Sequence, residues 1–218
     1  MQTGVVGAGS IDAYDKNLIR RHELTRPDKE TDRVRQILAV NAQTGPVLAI
    51  HRSDHDLNAV TEEVTSRDPD YSVVGAGGVL HTLWMVSMTS QIKRITAGFQ
   101  RLEIIYIADG HHRIEALSKF AEFKKHQNPN HTGKEAYNYF MVAIFPKSQA
   151  RILDYNRLIK DLYGYSPKDF IKQIKKNFFI EKKNSPFKPS ESRSFGMYLD
   201  KNWYSIKLKK NPEQNLFS

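Results

Sequence analysis

The spacing of apolar and polar residues changes several times along the chain, and each change predicts an element. Residues 103–108 (EIIYIA) form the clearest apolar run, which is typical of a buried strand. Asp109 and Gly110 predict a sharp turn after it, and residues 112–126 then show helical periodicity. The apolar side chains of that helix are expected mostly on one face: Ile114, Leu117, Phe120, Ala121 and Phe123.

The other periodic segments predict an alternation of helices and strands. Helices are predicted at residues 28–40, 57–66, 91–98, 152–162 and 167–177. Strands are predicted at residues 47–51, 79–88, 139–145, 178–180 and 203–208. This alternation indicates the α/β or α+β class, and we assign α+β, a mixed sheet with flanking helices.

Residues 4–9 (GVVGAG) look like a dinucleotide-binding loop, but the spacing does not fit. A third glycine is missing three residues after Gly9, and no strand has room to precede the loop. We therefore predict a strand edge and a turn at this position.

Composition excludes several classes of protein. The chain has 218 residues and no cysteine, so disulfides, zinc ribbons, iron–sulfur clusters and thiol catalysis are excluded. It has no run of about 18 apolar residues, and its first residues lack the apolar stretch of a signal peptide. We expect a soluble cytoplasmic protein without a membrane segment.

The formal net charge of +9 is concentrated towards the C-terminus. Residues 160–218 hold 12 Lys and one Arg against six acidic residues. We divide the chain into an α/β core, residues 1–160, and a basic helix-plus-strand portion, residues 161–218. The simplest interpretation of this portion is a lysine-rich surface exposed to solvent. The alternative is a surface that binds RNA, DNA or an acidic membrane. No nucleic-acid-binding signature accompanies the lysines.

Residues 106–113 (YIADGHHR) combine a strand end, a glycine turn and a helix start. The free N–H groups and positive dipole end of a helix bind anions, and glycine permits a close backbone approach. Two histidines and an arginine add donors, and arginine can hold a phosphate through two bonds. We therefore predict a phosphate site at Gly110, His111, His112 and Arg113.

Asp109 has two interpretations in this motif: it caps the helix, or it holds a metal ion bound to phosphate. A plain helix cap with two surface histidines is one alternative to the phosphate site. A metal site of His111, His112 and Glu115 is another, since residues four apart share a helix face, although no HExxH pattern is present. Arg113 either clamps phosphate or pairs with Glu115 or a neighbouring strand.

A second polar cluster, residues 20–30, lies just before a predicted helix. It contributes Arg21, His22, Glu23 and Arg26, and we expect residues 20–27 to approach the Asp109–Arg113 turn, because sites draw on several loops. The alternative is an exposed turn with helix start signals. His81, within an apolar strand, is a weaker candidate for the site and is more typical of a hydrogen-bonded structural histidine.

Several segments together resemble a known family. The segment YIADGHHRIEAL resembles the signature of a bacterial family catalogued as domain of unknown function 1015. Further segments resemble that family in its order: RRHELTRPDKETDRVRQI, TGPVLAI, GVLHTLW, ILDYNRLIK and FGMYLDKNWYSIKL. The resemblance runs from Gly4 to about Leu208 and begins inside the family pattern, which implies that an N-terminal portion of the family's domain is missing.

The family is similar to a wider group that shares a ParB/sulfiredoxin-like fold and includes kinases of free serine. The resemblance therefore implies a core of that fold, incomplete at the N-terminus, and binding of ATP or ADP at Asp109–Arg113. It implies phosphoryl transfer to a small hydroxyl compound. Mg²⁺ is implied only by the chemistry of phosphoryl transfer. The alternatives are a non-enzymatic ParB-like module that binds nucleotide or DNA, and an inactive fragment of the family.

We assign roles for a phosphotransferase of this type to residues of the two clusters. Phosphate ligands are expected among the groups that donate hydrogen bonds: Gly110, His111, His112, Arg113, Arg21 and Arg26. Catalytic roles are expected for three residues: Asp109, Glu23 and His22. Asp109 would be a metal ligand or proton acceptor, and Glu23 would be the alternative base.

Overall fold

The chain divides into two compact units, Met1–Ile152 and Leu153–Ser218. The structure, a computed structural model, describes residues 1–209. Residues 210–218 of the predicted basic portion lie outside the described residues.

The first unit contains seven strands and five helices within its described residues. The strands are β1 (Val5–Ser10), β2 (Ile19–Arg20), β3 (Val47–His51), β4 (Tyr71–Val74), β5 (Leu80–Leu83), β6 (Ile105–Asp109) and β7 (Tyr139–Pro146). The helices are α1 (Ile11–Asp15), α2 (Pro27–Val40), α3 (His55–Thr65), α4 (Thr89–Arg101) and α5 (His111–Gln127).

Five of these strands form one mixed sheet in the order β1-β7-β3-β6-β2. Strand β3 runs parallel to β7 and antiparallel to β6, with a bulge between Leu48 and Ala49. Strand β2 pairs with β6 in parallel, and β1 pairs with β7 antiparallel at the opposite edge. The mixed sheet with flanking helices confirms the predicted α+β class.

The core of this unit lies between the sheet and helices α1 and α5. Strand residues Val47, Ile107 and Phe140 are almost fully buried, and Ile114 of α5 packs against them. The expectation for Phe123 is wrong, because its side chain is 46% exposed. A helix turns about 100° per residue, so Phe123 lies on the side of α5 opposite Ile114.

The predicted helices at residues 28–40, 57–66 and 91–98 are confirmed by α2, α3 and α4. Helix α2 begins at Pro27. Proline is favourable at this position because the N–H groups of the first turn have no partner within the helix, so its missing N–H loses no hydrogen bond. Helices α3 and α4 pack closely at Gly98, where an added Cβ would lie 2.6 Å from Leu57.

The strand predicted at residues 79–88 is shorter than expected. It pairs with β4 as a two-stranded hairpin and ends at Leu83. Beyond that point the indole of Trp84 donates to the Arg67 carbonyl, and the Met85 N–H donates to Asp70. The backbone N–H of Met85 is therefore not available for the strand ladder.

The helix predicted at residues 152–162 is wrong: these residues, all described, form neither helix nor strand. Their apolar side chains, such as Ile152 and Leu158, are exposed. An isolated amphipathic pattern of this length gains too little without a packing surface, because most helical stability in proteins comes from tertiary contacts.

The second unit contains helix α6 (Pro167–Ile174) and strands β8 (Phe178–Lys183), β9 (Ser194–Leu199) and β10 (Asn202–Leu208). The strands form an antiparallel sheet in the order β8-β10-β9. The sequence predicted α6, β8 and β10, whereas β9 was not predicted. Ser166 caps α6 by accepting a hydrogen bond from the Asp169 N–H.

Candidate functional site

The turn between β6 and α5 is built around Gly110. Its φ of 92° is in the left-handed region, which favours glycine. The Gly110 carbonyl accepts hydrogen bonds from the N–H groups of Arg113 and Ile114, at 2.9 and 3.0 Å. Among the residues that the structure describes, no side chain caps this end of the 17-residue helix, so the first N–H groups of α5 have no side-chain cap there.

Arg113 makes structural contacts at this turn. Its Nη2 donates to the Asp109 carboxylate at 2.8 Å, and its Nη1 donates to the carbonyl of Pro46, the residue just before β3. The shallow cavity beside it is lined by residues of α2 and of the loop before β3, and not by His111 or His112. The pairing with a neighbouring strand, given as the alternative, is therefore the geometry found.

The segment 20–27 approaches the start of α5, as predicted. The rings of His22 and His111 meet edge to face, with centroids 4.5 Å apart. The Glu23 Oε2 lies 3.7 Å from the His111 Nδ1. These contacts join parts of the chain about 90 residues apart, and they place a carboxylate and two imidazoles at the uncapped helix start.

His111 is 5% exposed, and its Nε2 is buried with no hydrogen-bond partner among residues 1–209. Burial, together with the nearby His22, holds the pKa of His111 below its ordinary value. His112 also has a buried ring nitrogen, Nδ1, without a partner. Unpaired buried polar atoms are rare in folded proteins and often mark functional positions.

Arg21 is held over α5 by a small hydrogen-bond network. Arg21 Nη1 and the Tyr14 hydroxyl both donate to Glu115 Oε2, each at 2.7 Å. Burial, followed by the hydrogen bond to Glu115, raises the pKa of Tyr14, so this hydroxyl stays protonated as a donor. Glu115 is thus engaged by Arg21 and Tyr14.

One turn further along α5, Lys119 donates to the buried carboxylate of Glu30 on α2. This hydrogen bond holds the pKa of Glu30 below its usual value. The sequence analysis assigned no role at the site to Glu30, Tyr14 or Lys119. The available signal was the four-residue spacing of His111, Glu115 and Lys119, which puts them on one face of α5.

Arg26 and His81 do not join the contacts at His111 described above. Arg26 flanks the start of α2 and pairs with Asp28 at 2.9 Å, in an exposed position. His81 lies in the β4–β5 hairpin, where its ring is next to Gly75.

A metal site built from side chains alone does not fit the residues present. Within residues 1–209, no three His, Asp or Glu side chains are grouped so that they could hold a metal ion. The carboxylate of Asp109 is paired with Arg113, and that of Glu115 with Arg21. No chemical step is therefore assigned to a metal ion held by the protein.

A family model described as "Protein of unknown function (DUF1015)" matches residues 1–217. The chain belongs to this family. No curated protein and no solved structure matches the chain. Among residues 1–209, no helix of this family member is long and apolar enough to cross a membrane. The family description assigns no activity, so the function has to be argued from the site.

Proposed function

We propose that this chain binds a nucleotide by its phosphates at the start of α5 and transfers a phosphoryl group to a small hydroxyl compound. The observation that carries this proposal is the position of His22 and Glu23. Both are exposed residues, and they lie against the buried His111 at a helix start that no side chain caps.

The start of α5 offers the groups that phosphate requires. The first N–H groups of a helix and its dipole favour an anion there, and histidine adds hydrogen-bond donors. Arg21 is 47% exposed and uses only its Nη1 in its contacts with described residues. In this proposal, the remaining guanidinium nitrogens of Arg21 donate hydrogen bonds to phosphate. They replace Arg113, which the sequence analysis had assigned to that role.

Glu23 is the base in this proposal. The hydroxyl oxygen of the acceptor attacks the terminal phosphorus, a new P–O bond forms, and the bond to the leaving nucleotide phosphate breaks. The hydroxyl proton passes to the Glu23 carboxylate, which is 63% exposed. Asp109, the other candidate, is paired with Arg113. Any Mg²⁺ would arrive on the phosphates of ATP or ADP, with no step assigned to it.

Two variants test binding and chemistry separately. Calorimetry with ATP and ADP measures binding, and phosphate transfer to free serine measures the reaction. His22→Ala should weaken nucleotide binding about 10-fold, the effect of losing a charge-assisted hydrogen bond. Glu23→Gln should keep most of the affinity but lower the transfer rate by about 10²-fold or more. His126→Ala and Glu122→Gln are matched controls, because that exposed pair lies near the other end of α5.

Equal nucleotide affinity in the parent and in His22→Ala would contradict the proposed site. The alternative, a DNA-binding module, has a different signature. It would bind duplex DNA with a steep dependence on salt concentration, and His22→Ala would leave that binding unchanged.

A further inference from the structure

The hairpin of β4 and β5 forms a sheet of its own, separate from the five-stranded sheet. Among the described residues no third strand pairs with it, so both of its strands are edge strands. A two-stranded hairpin alone is marginally stable in water and usually needs a further strand or a packing surface. The outer edges of β4 and β5 are therefore open to further pairing.

Both faces of the hairpin expose apolar side chains. Tyr71 pairs with Leu83 on one face, and Val74 pairs with Leu80 on the other. These four side chains are 46–69% exposed. An antiparallel sheet commonly packs one apolar face on the core and exposes a polar one. In this hairpin, in contrast, neither face is buried.

The hairpin also lacks the features that protect open strand edges. Residues 71–92 contain no Lys, Arg, Asp or Glu, and this is the longest such stretch in a chain whose residues are 26% charged. Natural edge strands are kept from pairing with other chains by charged side chains, proline or bulges. Strands β4 and β5 have no charged residue and no proline, and their register is continuous.

A second copy of this chain is the partner that fits these observations. The net charge of +9 makes two copies repel each other, whereas residues 71–92 bring no charge into a contact. A two-fold axis sets a strand antiparallel to its own copy, which is the arrangement that edge pairing requires. The length of the stretch also matches the roughly 20–30 residues that each partner contributes to an interface of standard size.

We propose that the chain forms a two-fold symmetric dimer through residues 71–92. Strand β4 pairs with β4 of the second copy, because three of its four side chains are apolar and more than 60% exposed: Tyr71, Val73 and Val74. Met85 and Met88, which are 57% and 60% exposed, extend the apolar contact beyond the strands.

Sedimentation equilibrium on the full chain tests the dimer. The parent should dimerise with a Kd below about 100 µM. A rise in NaCl concentration should leave the dimer unchanged or tighten it, because salt screens the repulsion between the copies and no ion pair holds them. Nucleotide takes no part in this measurement, so the dimer and the proposed function can fail independently.

Val74→Lys places a charge on the open edge at a position that is 69% exposed. The fold should remain intact, as a thermal melt will show, and the dimer should weaken by about 10-fold or more. Val6→Lys is the matched control, because Val6 is a similarly exposed valine, at 56%, on the edge strand β1. It should leave the dimer unchanged.

The absence of cysteine from the chain makes cross-linking a second test. Ser72→Cys, in β4, should be joined to its own copy by a short bis-maleimide, because facing and diagonal residues of paired strands lie within about 8 Å. Asn130→Cys, exposed in the loop after α5, should not be joined. A monomeric parent, a dimer that Val74→Lys leaves intact, or equal cross-linking of the two cysteine variants would overturn the proposal.

Discussion

The protonation state of one residue, His111, decides how the candidate site responds to an anion. Its pKa is held below the ordinary value of about 6.5, first by burial and then by His22. The ring is therefore mostly uncharged at pH 7 in the free protein. A phosphate group next to it would favour the charged form and raise its pKa again.

Nucleotide binding near pH 6.5 should therefore take up protons. Calorimetry in two buffers with different ionisation enthalpies should give different observed heats, and their slope gives the number of protons bound. Uptake should vanish near pH 9, where His111 remains uncharged even beside a phosphate. Identical heats in both buffers at pH 6.5 would show that the phosphates bind away from His111.

Arg113 is expected to matter for stability because it ties Asp109 and the Pro46 carbonyl together. Arg113→Ala should lower the free energy of unfolding by about 1–3 kcal/mol, and Arg113→Lys should recover only part of it, because lysine lacks the planar fork. Urea denaturation measures both. Arg33→Ala is the control, since Arg33 is exposed and lines the same shallow cavity. Unchanged stability with weaker nucleotide binding would restore Arg113 as a phosphate clamp.

At the scale of elements, the contact between α2 and α5 depends on a charged group inside the interface. Glu30 is buried and bonded to Lys119, and this contact fixes the end of the segment that carries His22 and Glu23. Losing a partner of a buried charge is costly, so the position of that segment depends on the ionisation of Glu30.

The pH dependence of unfolding tests this contact. The folded-state pKa of Glu30 is below its ordinary value of about 4.3, so its stabilising contribution is present above that pH. The contribution is lost as the pH falls from about 4.3 through the folded-state pKa. Glu30→Gln should therefore be less stable than the parent by about 1–3 kcal/mol at pH 7, and the difference should shrink towards pH 3.

Asp12→Asn is the control for this experiment, because Asp12 of α1 pairs with Lys16, the residue just after that helix, and both side chains are exposed. It should change stability by less than about 1 kcal/mol at any pH. A Glu30→Gln difference that stays constant from pH 7 to pH 3 would contradict the assigned role of Glu30.

The elements that the sequence predicted well are those whose own residues determine them. The apolar run before Asp109 and the Gly110 turn sufficed for β6 and the start of α5. The helix at residues 152–162 failed because its pattern found no surface to pack against. Strand β2, with two residues, is too short to show a period. Glu30 and Lys119 lie on two helices that are distant in sequence, so no local sequence pattern could predict their pairing.

At the scale of the whole molecule, the hydrophobic core lies in one unit. All residues of the main buried cluster belong to the first unit, from Ile11 to Ile144. The second unit contributes Ile206 to the buried apolar residues. The candidate site also lies entirely within the first unit.

The fragment containing residues 1–152 should therefore fold without the rest of the chain. We expect a cooperative thermal transition and amide signals for α5 that match those of the full chain. A broad, non-cooperative melt would show that the first unit needs residues beyond 152. If the fragment folds but binds no nucleotide while the full chain does, the second unit contributes to binding.

The short strand β2 keeps the free energy of local opening low at one side of the candidate site. Only Ile19 and Arg20 pair with β6, at the edge of the sheet, and the His22–Glu23 segment follows directly. So few backbone bonds give a low free energy of local opening, far below that of global unfolding. The amide hydrogens of Ile105, which bonds to Leu18, and of its β2 neighbours should exchange with deuterium much faster than those of central β3. If the proposed function is correct, local opening of the segment that carries Glu23 would give a nucleotide access to the start of α5 without unfolding that helix.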